Sequence, residues 1–480
     1  SLTNADYNTG VGHGVMGEAS GNAITGNYNV AMGALAMYNA SGTVNANTAI
    51  GYRAGFNTTT ASGSTSIGFQ AGDAITTASG SVFVGADAGG NVQTGNMNIA
   101  VGNNAMNAGV TGDKNIAIGA FAGDALTSGK ENVLIGADAG GAMTSPNRNT
   151  AIGTGAGAAI NNSAENTLVG WHAGYQFDTE AGNTALGAEA LSGNGSTSYS
   201  VAIGLQALDA AATFNGTVAI GTTALTDLTS GERNIAIGYE TLNDLTVGDD
   251  NIALGYQALK NLGTSTHANR NIAIGTSAMI SAANNNINDN IAIGFSALSQ
   301  SIHSDGDANV AIGSNTMQEM TAGAWGMVGV GTGALQKVNH AESVGSTAVG
   351  YFALNANVSG IGNVAVGFEA LKVEDDGDQN TAIGYQTLKA QTGVSGTVGN
   401  TAVGYKTLDG VTTGVKNTAI GAEAMGSADG AEEQNVAVGY KAMFNGNNSL
   451  SNTCIGSGTL LSTAAGQGQI AIGRDVACIA

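Results

Sequence analysis

The chain has 480 residues, of which 76 are glycine and one is proline; 42% are apolar and 5% aromatic. Its 35 acidic and 14 basic side chains leave a formal net charge of −21. That shortage of cations argues against a nucleic-acid partner, whose affinity rests on phosphate neutralisation, and against anionic membranes. The apolar runs are too short for membrane insertion.

One phrase of nine residues, Asn, β-branched, Ala, aliphatic, Gly, x, x, Ala, Leu, recurs 27 times along the chain. It begins at Asn8-Thr9-Gly10-Val11-Gly12 and ends at Gln469-Ile470-Ala471-Ile472-Gly473. From Gly51 to Gly255 the glycines fall every 17 residues. A short fixed period marks each repeat as one structural unit stacked on the next. The residue three before the glycine is Thr, Val or Ile throughout, a strand signature. It shares a strand face with the apolar residue just before the glycine, while the intervening position, mostly Ala, faces the other way. The reading is an all-β, parallel β-solenoid of about 27 rungs. Each rung holds two short strands, and successive rungs rise by about 4.8 Å, roughly 130 Å for the whole rod. The aliphatic rank Ile118, Ile152, Ile237, Ile274, Ile383 and Ile420 is expected to fill the coil. The Ala rank, including Ala117, Ala236 and Ala382, is expected to pack against a neighbouring chain.

Asn precedes the strand at Asn115, Asn132, Asn149, Asn234, Asn251, Asn380 and Asn417, among others. Asn suits turns, and in stacked coils its amides can form a hydrogen-bonded ladder. The unvarying glycine implies a backbone angle or close approach that a Cβ would forbid. Residues 1–480 read as one solenoid with two sub-blocks. In 43–186 the fourth residue after the anchoring glycine is usually Gly, as at Gly55, Gly72, Gly89, Gly123, Gly140, Gly157 and Gly174; in 187–462 it is Leu or Met. The earlier block should be thinner there, or bring another backbone closer.

Aromatic residues follow the glycine at Tyr351, Phe368, Tyr385 and Tyr405 on successive rungs. They can contact glycan faces, or stack on one another to stiffen the coil. The turn Glu374-Asp375-Asp376-Gly377-Asp378 reads as solvated, with calcium at Asp375, Asp376 and Asp378 the alternative; acidic turns also occur at Asp249-Asp250 and Asp305-Gly306-Asp307. His13, His172, His267, His303 and His340 have no metal or catalytic spacing, and Trp171 and Trp325 read as packing residues. Cys454 occupies the Ala rank and should be buried; Cys478 follows the last glycine. No cofactor and no catalytic set is indicated. The Thr at the β-branched rank forms no paired array of the kind that orders ice.

The phrases Ser200-Val201-Ala202-Ile203-Gly204 and Asn435-Val436-Ala437-Val438-Gly439 resemble the head repeats of YadA-type trimeric autotransporter adhesins. Asn400-Thr401-Ala402-Val403-Gly404-Tyr405-Lys406-Thr407-Leu408 is similar to repeats of phage tail fibres. The resemblance implies a left-handed β-roll with three chains around one axis, hence a homotrimer, and an extracellular fibre or adhesin on a virion tail or cell surface. A host-surface or matrix ligand would be its partner. The alternatives are an end-to-end filament subunit and a solenoid carrying glycan-binding or enzymatic activity. The chain opens on Ser1 without a secretory leader, which predicts a processed chain or a segment of a longer one. The short flanks outside the first and last phrases predict that both ends are occupied in the native assembly.

Overall fold

The computed structural model describes residues 6–476, apart from 18–23, 177–180, 194, 196, 211–213, 262–266, 281–286, 301–305, 321–323, 339, 341–342, 393–394, 429 and 461–466. It is an all-β, parallel β-solenoid, and the described residues contain no helix. Twenty-seven three-residue strands carry the repeat, from Thr9–Val11 to Ile470–Ile472. The chain divides into two compact units, Ser1–Arg233 and Asn234–Ala480. Within each unit successive strands pair in parallel without a register slip. Ile116, Ala117 and Ile118 lie beside Val133, Leu134 and Ile135 in the first unit. Ile235, Ala236 and Ile237 lie beside Ile252, Ala253 and Leu254 in the second.

Each rung contains one such strand, where the sequence pattern predicted two. The Ala-Leu segment after the glycine is a run of turns. Its alternate residues take positive φ, as at Glu240 (51°) and Leu242 (50°), which carries the backbone out of the β region. Inter-rung bonding continues through it all the same: Leu242 N donates to Ala258 O at 3.0 Å. Among the described residues two short strand pairings lie outside the main column, Thr197–Ser198 with Phe214–Asn215 and Gly377–Asp378 with Gly396–Thr397.

The orientation of the strand is the reverse of the sequence expectation. The Ala rank faces the coil interior: Ala117, Ala236 and Ala382 have no exposed surface. The aliphatic rank faces outward, with Ile118, Ile237, Ile274, Ile383 and Ile420 between 37% and 42% exposed; Ile152 is half-buried. The cause is room. A 17-residue coil has a narrow lumen that already takes side chains from three further ranks. In the rung of Gly221 these are Ala224, Leu225 and Leu228, all buried. A methyl fits opposite them and a sec-butyl group does not.

The glycine-rich sub-block shows the same exchange of volume. At several of these rungs the space above the glycine is filled by a larger side chain from a strand. A Cβ on Gly89 would lie 2.2 Å from the Phe83 ring, and one on Gly140 2.9 Å from Leu134. Where the strand carries Ala, as at Ala236, Leu242 supplies the bulk.

The anchoring glycine meets both conditions that the sequence implied. At Gly238 φ is 139°, and a Cβ there would lie 2.4 Å from the carbonyl oxygen of Gly255, its counterpart one rung on. The glycines thus form a close-packed backbone column that admits no side chain.

This packing predicts that Ala236→Arg collapses the coil locally, because an unpaired charge enters a filled lumen. We expect a loss of about 3 kcal/mol or more in chemical denaturation. A variant as stable as the parent chain would mean that Ala236 lies outside the core.

Candidate functional site

Three columns run along the rungs and could carry function: the Asn ladder, the outward aliphatic rank and the aromatic rank. The Asn ladder is buried and hydrogen-bonded, apart from Asn380 Nδ2, which has no partner. Asn115, Asn132, Asn149, Asn234, Asn251, Asn380 and Asn417 are each at most 1% exposed. Asn251 shows the pattern. Its Nδ2 donates to Asn234 Oδ1 at 3.0 Å and to the turn carbonyl of Ala268 at 2.7 Å. Its Oδ1 accepts from the backbone N and the Nδ2 of Asn271, both at 3.1 Å. An amide has two donors and a two-fold acceptor, and here every one is used. Asn132 repeats the scheme with Asn115 Oδ1 (2.9 Å) and Pro146 O (2.9 Å). Asn149 bonds Asn132 and Ser163, Asn417 bonds Asn400 and Glu432, and Asn115 bonds Asn98 and Gly129. Asn234 Nδ2 reaches Gly248 O at 2.7 Å, and Asn380 N reaches Asn363 Oδ1 at 2.8 Å. The ladder therefore binds strand to turn within a rung and rung to rung. It is a structural element closed to ligands.

The aromatic rank is exposed at its ring edges. Tyr351, Phe368, Tyr385 and Tyr405 are 39–48% exposed. They stack with centroids 5.2, 5.2 and 5.5 Å apart and planes within 12° of parallel. Each inner ring has a neighbour on both faces, so the faces that would stack on a sugar are already covered. Tyr239–Tyr256 and Tyr52–Phe69 form shorter stacks of the same kind. Trp171 and Trp325, expected as packing residues, are half-exposed, and Trp171 stacks on His172 at 4.0 Å.

The acidic turn differs from its expected solvated form. Asp376 Oδ1 accepts from Ser359 Oγ at 2.5 Å, Asp378 Oδ1 from Ile361 N at 2.8 Å and Asp375 Oδ1 from Asp376 N at 3.1 Å. Asp376 and Asp378 thus cap the turn one rung earlier, and Asp375 caps its own. Glu374 is fully buried, and burial followed by the nearby Asp375 charge pushes its carboxyl up to about 7. Glu369 shows the opposite shift: hydrogen bonds from Lys372, Lys389 and Gln386 hold it down at about 2. Among the described residues no three His, Cys, Asp or Glu side chains gather as a metal-binding group. Cys454 is buried, as its place in the Ala rank implied; Cys478, His303 and Asp305 lie outside the described residues.

Sequence reasoning missed two features. One is the outward aliphatic face, whose signal was the small residue between two large ones. The other is the burial of Glu374, which shares its place in the rung with apolar residues elsewhere.

The ladder geometry predicts that Asn251→Ala orphans the Ala268 carbonyl and the Asn271 amide at once, costing about 2–3 kcal/mol. Asn251→Ser should cost less, because a serine at this rank can still accept an amide, as Ser81 Oγ does from Asn98 N at 3.2 Å. Urea denaturation of the two variants checks the order. An Asn251→Ala variant as stable as the parent chain would deny the ladder its role. No family model matches the chain, and no curated protein matches it.

Proposed function

We propose that the chain is a non-enzymatic structural fibre segment whose outward strand face is covered by further copies of itself. The observation that carries this reading is the apolar strip on that face. In the second unit it includes Ile237, Ile274, Ile312, Val349, Ile383, Ile420 and Ile455, each at least 36% exposed. The first unit carries Met32, Ile67, Ile118 and Leu186 at the same rank. Apolar side chains repeated at one position over so many rungs form a patch far beyond what a monomeric soluble protein leaves in water. A rank that repeats with the rung also suits self-association, since the same surface on each copy is self-complementary under rotation. Three copies is the number that the resemblance to adhesin heads and tail fibres implies. The location that goes with it is the outside of a virion tail or cell. In this reading the interior Ala rank and the Asn ladder supply stiffness, and the turns opposite the covered face carry any contact with a host surface.

The test places acidic residues on the face without touching the lumen. The triple variant Ile237→Asp, Leu254→Asp, Ile274→Asp keeps its charges at the outward rank, where they stay hydrated in a single chain. We expect light scattering to give a homotrimer for the parent chain and a smaller species for the variant, with the β-type circular dichroism unchanged. A parent chain that stays monomeric at micromolar concentration would overturn the proposal.

A further inference from the structure

The position seven residues after the anchoring glycine forms a core column that is apolar along most of the chain. Ile75, Leu126, Met143, Ile160, Leu228, Leu245, Val338 and Val411 hold it, all buried. Three consecutive rungs break the column with Asn357, Glu374 and Gln391, each with no exposed surface. Their strands are in register, Thr347 beside Val364 and Val364 beside Thr381. The three polar side chains therefore enter the lumen at successive levels about 4.8 Å apart.

Their bonding is incomplete in a specific way. Asn357 Nδ2 donates to Gly360 O at 3.1 Å, and its Oδ1 has no partner. Glu374 Oε1 accepts from Gly377 N at 2.9 Å, and its Oε2 has none. Gln391 Oε1 accepts from Asn400 Nδ2 at 3.2 Å, and its Nε2 has none. Buried polar atoms are almost always paired, and three orphans in one column call for an explanation. With Glu374 ionised, the first two orphans are both acceptors. A single proton on Oε2 turns one of them into a donor.

We propose that Glu374 is a buried proton-binding site that switches the column between two bonding states. When neutral, Oε2–H donates to Asn357 Oδ1, one rung earlier. When ionised, the proton has passed to solvent, and Oε2 is the acceptor for Gln391 Nε2–H, one rung later. The charged and titratable groups around it are few. On its own turn stand Asp375, Asp376 and Asp378, whose negative charge favours the neutral form. The adjoining core positions Asn357 and Gln391 are uncharged. His340, with Asp376 and Asp378, lines a pocket of about 380 Å³ outside the same turns. Lys372 and Lys389 are engaged with Glu369. The backbone amides of Gly377, Asp375 and Asp376 favour the ionised form, but burial outweighs them and moves the carboxyl up from 4.5 to about 7.

The sign of the linkage follows. A carboxyl raised in the folded state binds more protons there than in the unfolded chain between pH 4.5 and about 7. The rungs around it are therefore most stable at low pH within this range and lose stability as pH rises through it, by a factor on the order of a hundred in the local opening constant.

The experiment uses the full chain in its native assembly. Infrared difference spectra, with Glu374→Gln as the reference, follow the protonated carboxyl. Hydrogen exchange follows the amides of residues 350–404. We expect the carboxyl band to disappear with a midpoint near pH 7, and the local opening constant to rise over the same interval. Both changes should be absent in Glu374→Gln. Gln391→Leu removes the donor to the ionised form and should move the midpoint higher, a shift that a merely structural role for Gln391 would not produce. A Glu374 that titrates near 4.5, with its oxygen and Asn357 Oδ1 bridged by a buried water, overturns the proposal. So does pH-dependent opening that persists in Glu374→Gln.

Discussion

Within each unit everything depends on parallel rungs that stack without slipping. The strand bonds set the spacing, but three residues per rung give them little hold on register. The glycine column and the Asn ladder supply the rest. A Cβ at Gly238 would meet the Gly255 carbonyl at 2.4 Å, so the rungs can close to strand spacing only where no side chain intervenes. The Asn251 amide then reads the rung on either side, bonding Asn234 and Asn271 as well as the Ala268 carbonyl of its own enclosed turn. A slip of one residue would break all of these contacts together and would turn Ala236 outward and Ile237 inward. The period-two geometry that makes the strand simple also makes its register an all-or-none matter.

From that constraint the core follows. The lumen is narrow and its volume is shared among ranks that trade bulk: Phe83 stands over Gly89, Leu134 over Gly140, and Ala236 beside Leu242. Leu242 occupies a left-handed conformation at φ 50°, which costs a non-glycine residue about 1–2 kcal/mol. The cost is accepted in the second sub-block because the side chain fills the lumen that an Ala strand leaves open. Glycine at this position, as at Gly89 and Gly140, avoids the strain, and Phe83 and Leu134 of the strand supply the bulk there.

The repeat, the parallel stacking, the glycine column and the Asn ladder were legible in the sequence because each depends on one residue type at one position. The facing of the strand was not. In Ile235-Ala236-Ile237 both faces are apolar, so alternation alone does not say which side is in. Size decides it, and the relevant volume is that of the opposite wall, which the sequence does not place. The same lack of spatial reference hid Glu374. Next to Asp375 and Asp376 it reads as one more surface acid. Only its alignment with Leu245 and Val411, seven residues past a glycine, marks it as a core position. The two short strands predicted per rung became one because positive φ at Glu240 and Leu242 has no signature in residue types that are otherwise ordinary.

The central claim is that the Ala rank lines the lumen while the neighbouring aliphatic rank faces outward and is covered by other copies. Thiol labelling of Ala236→Cys and Ile237→Cys, one at a time in a Cys454→Ala, Cys478→Ser background, tests it directly. The thiol of Ala236→Cys should stay unreactive both in the assembly and in chains dissociated by the outward Asp substitutions at Leu254 and Ile274. That of Ile237→Cys should be protected in the assembly and react rapidly once the chains separate. In the separated chain, a reactive thiol in Ala236→Cys and a protected one in Ile237→Cys would reverse the facing of the strand and contradict the account.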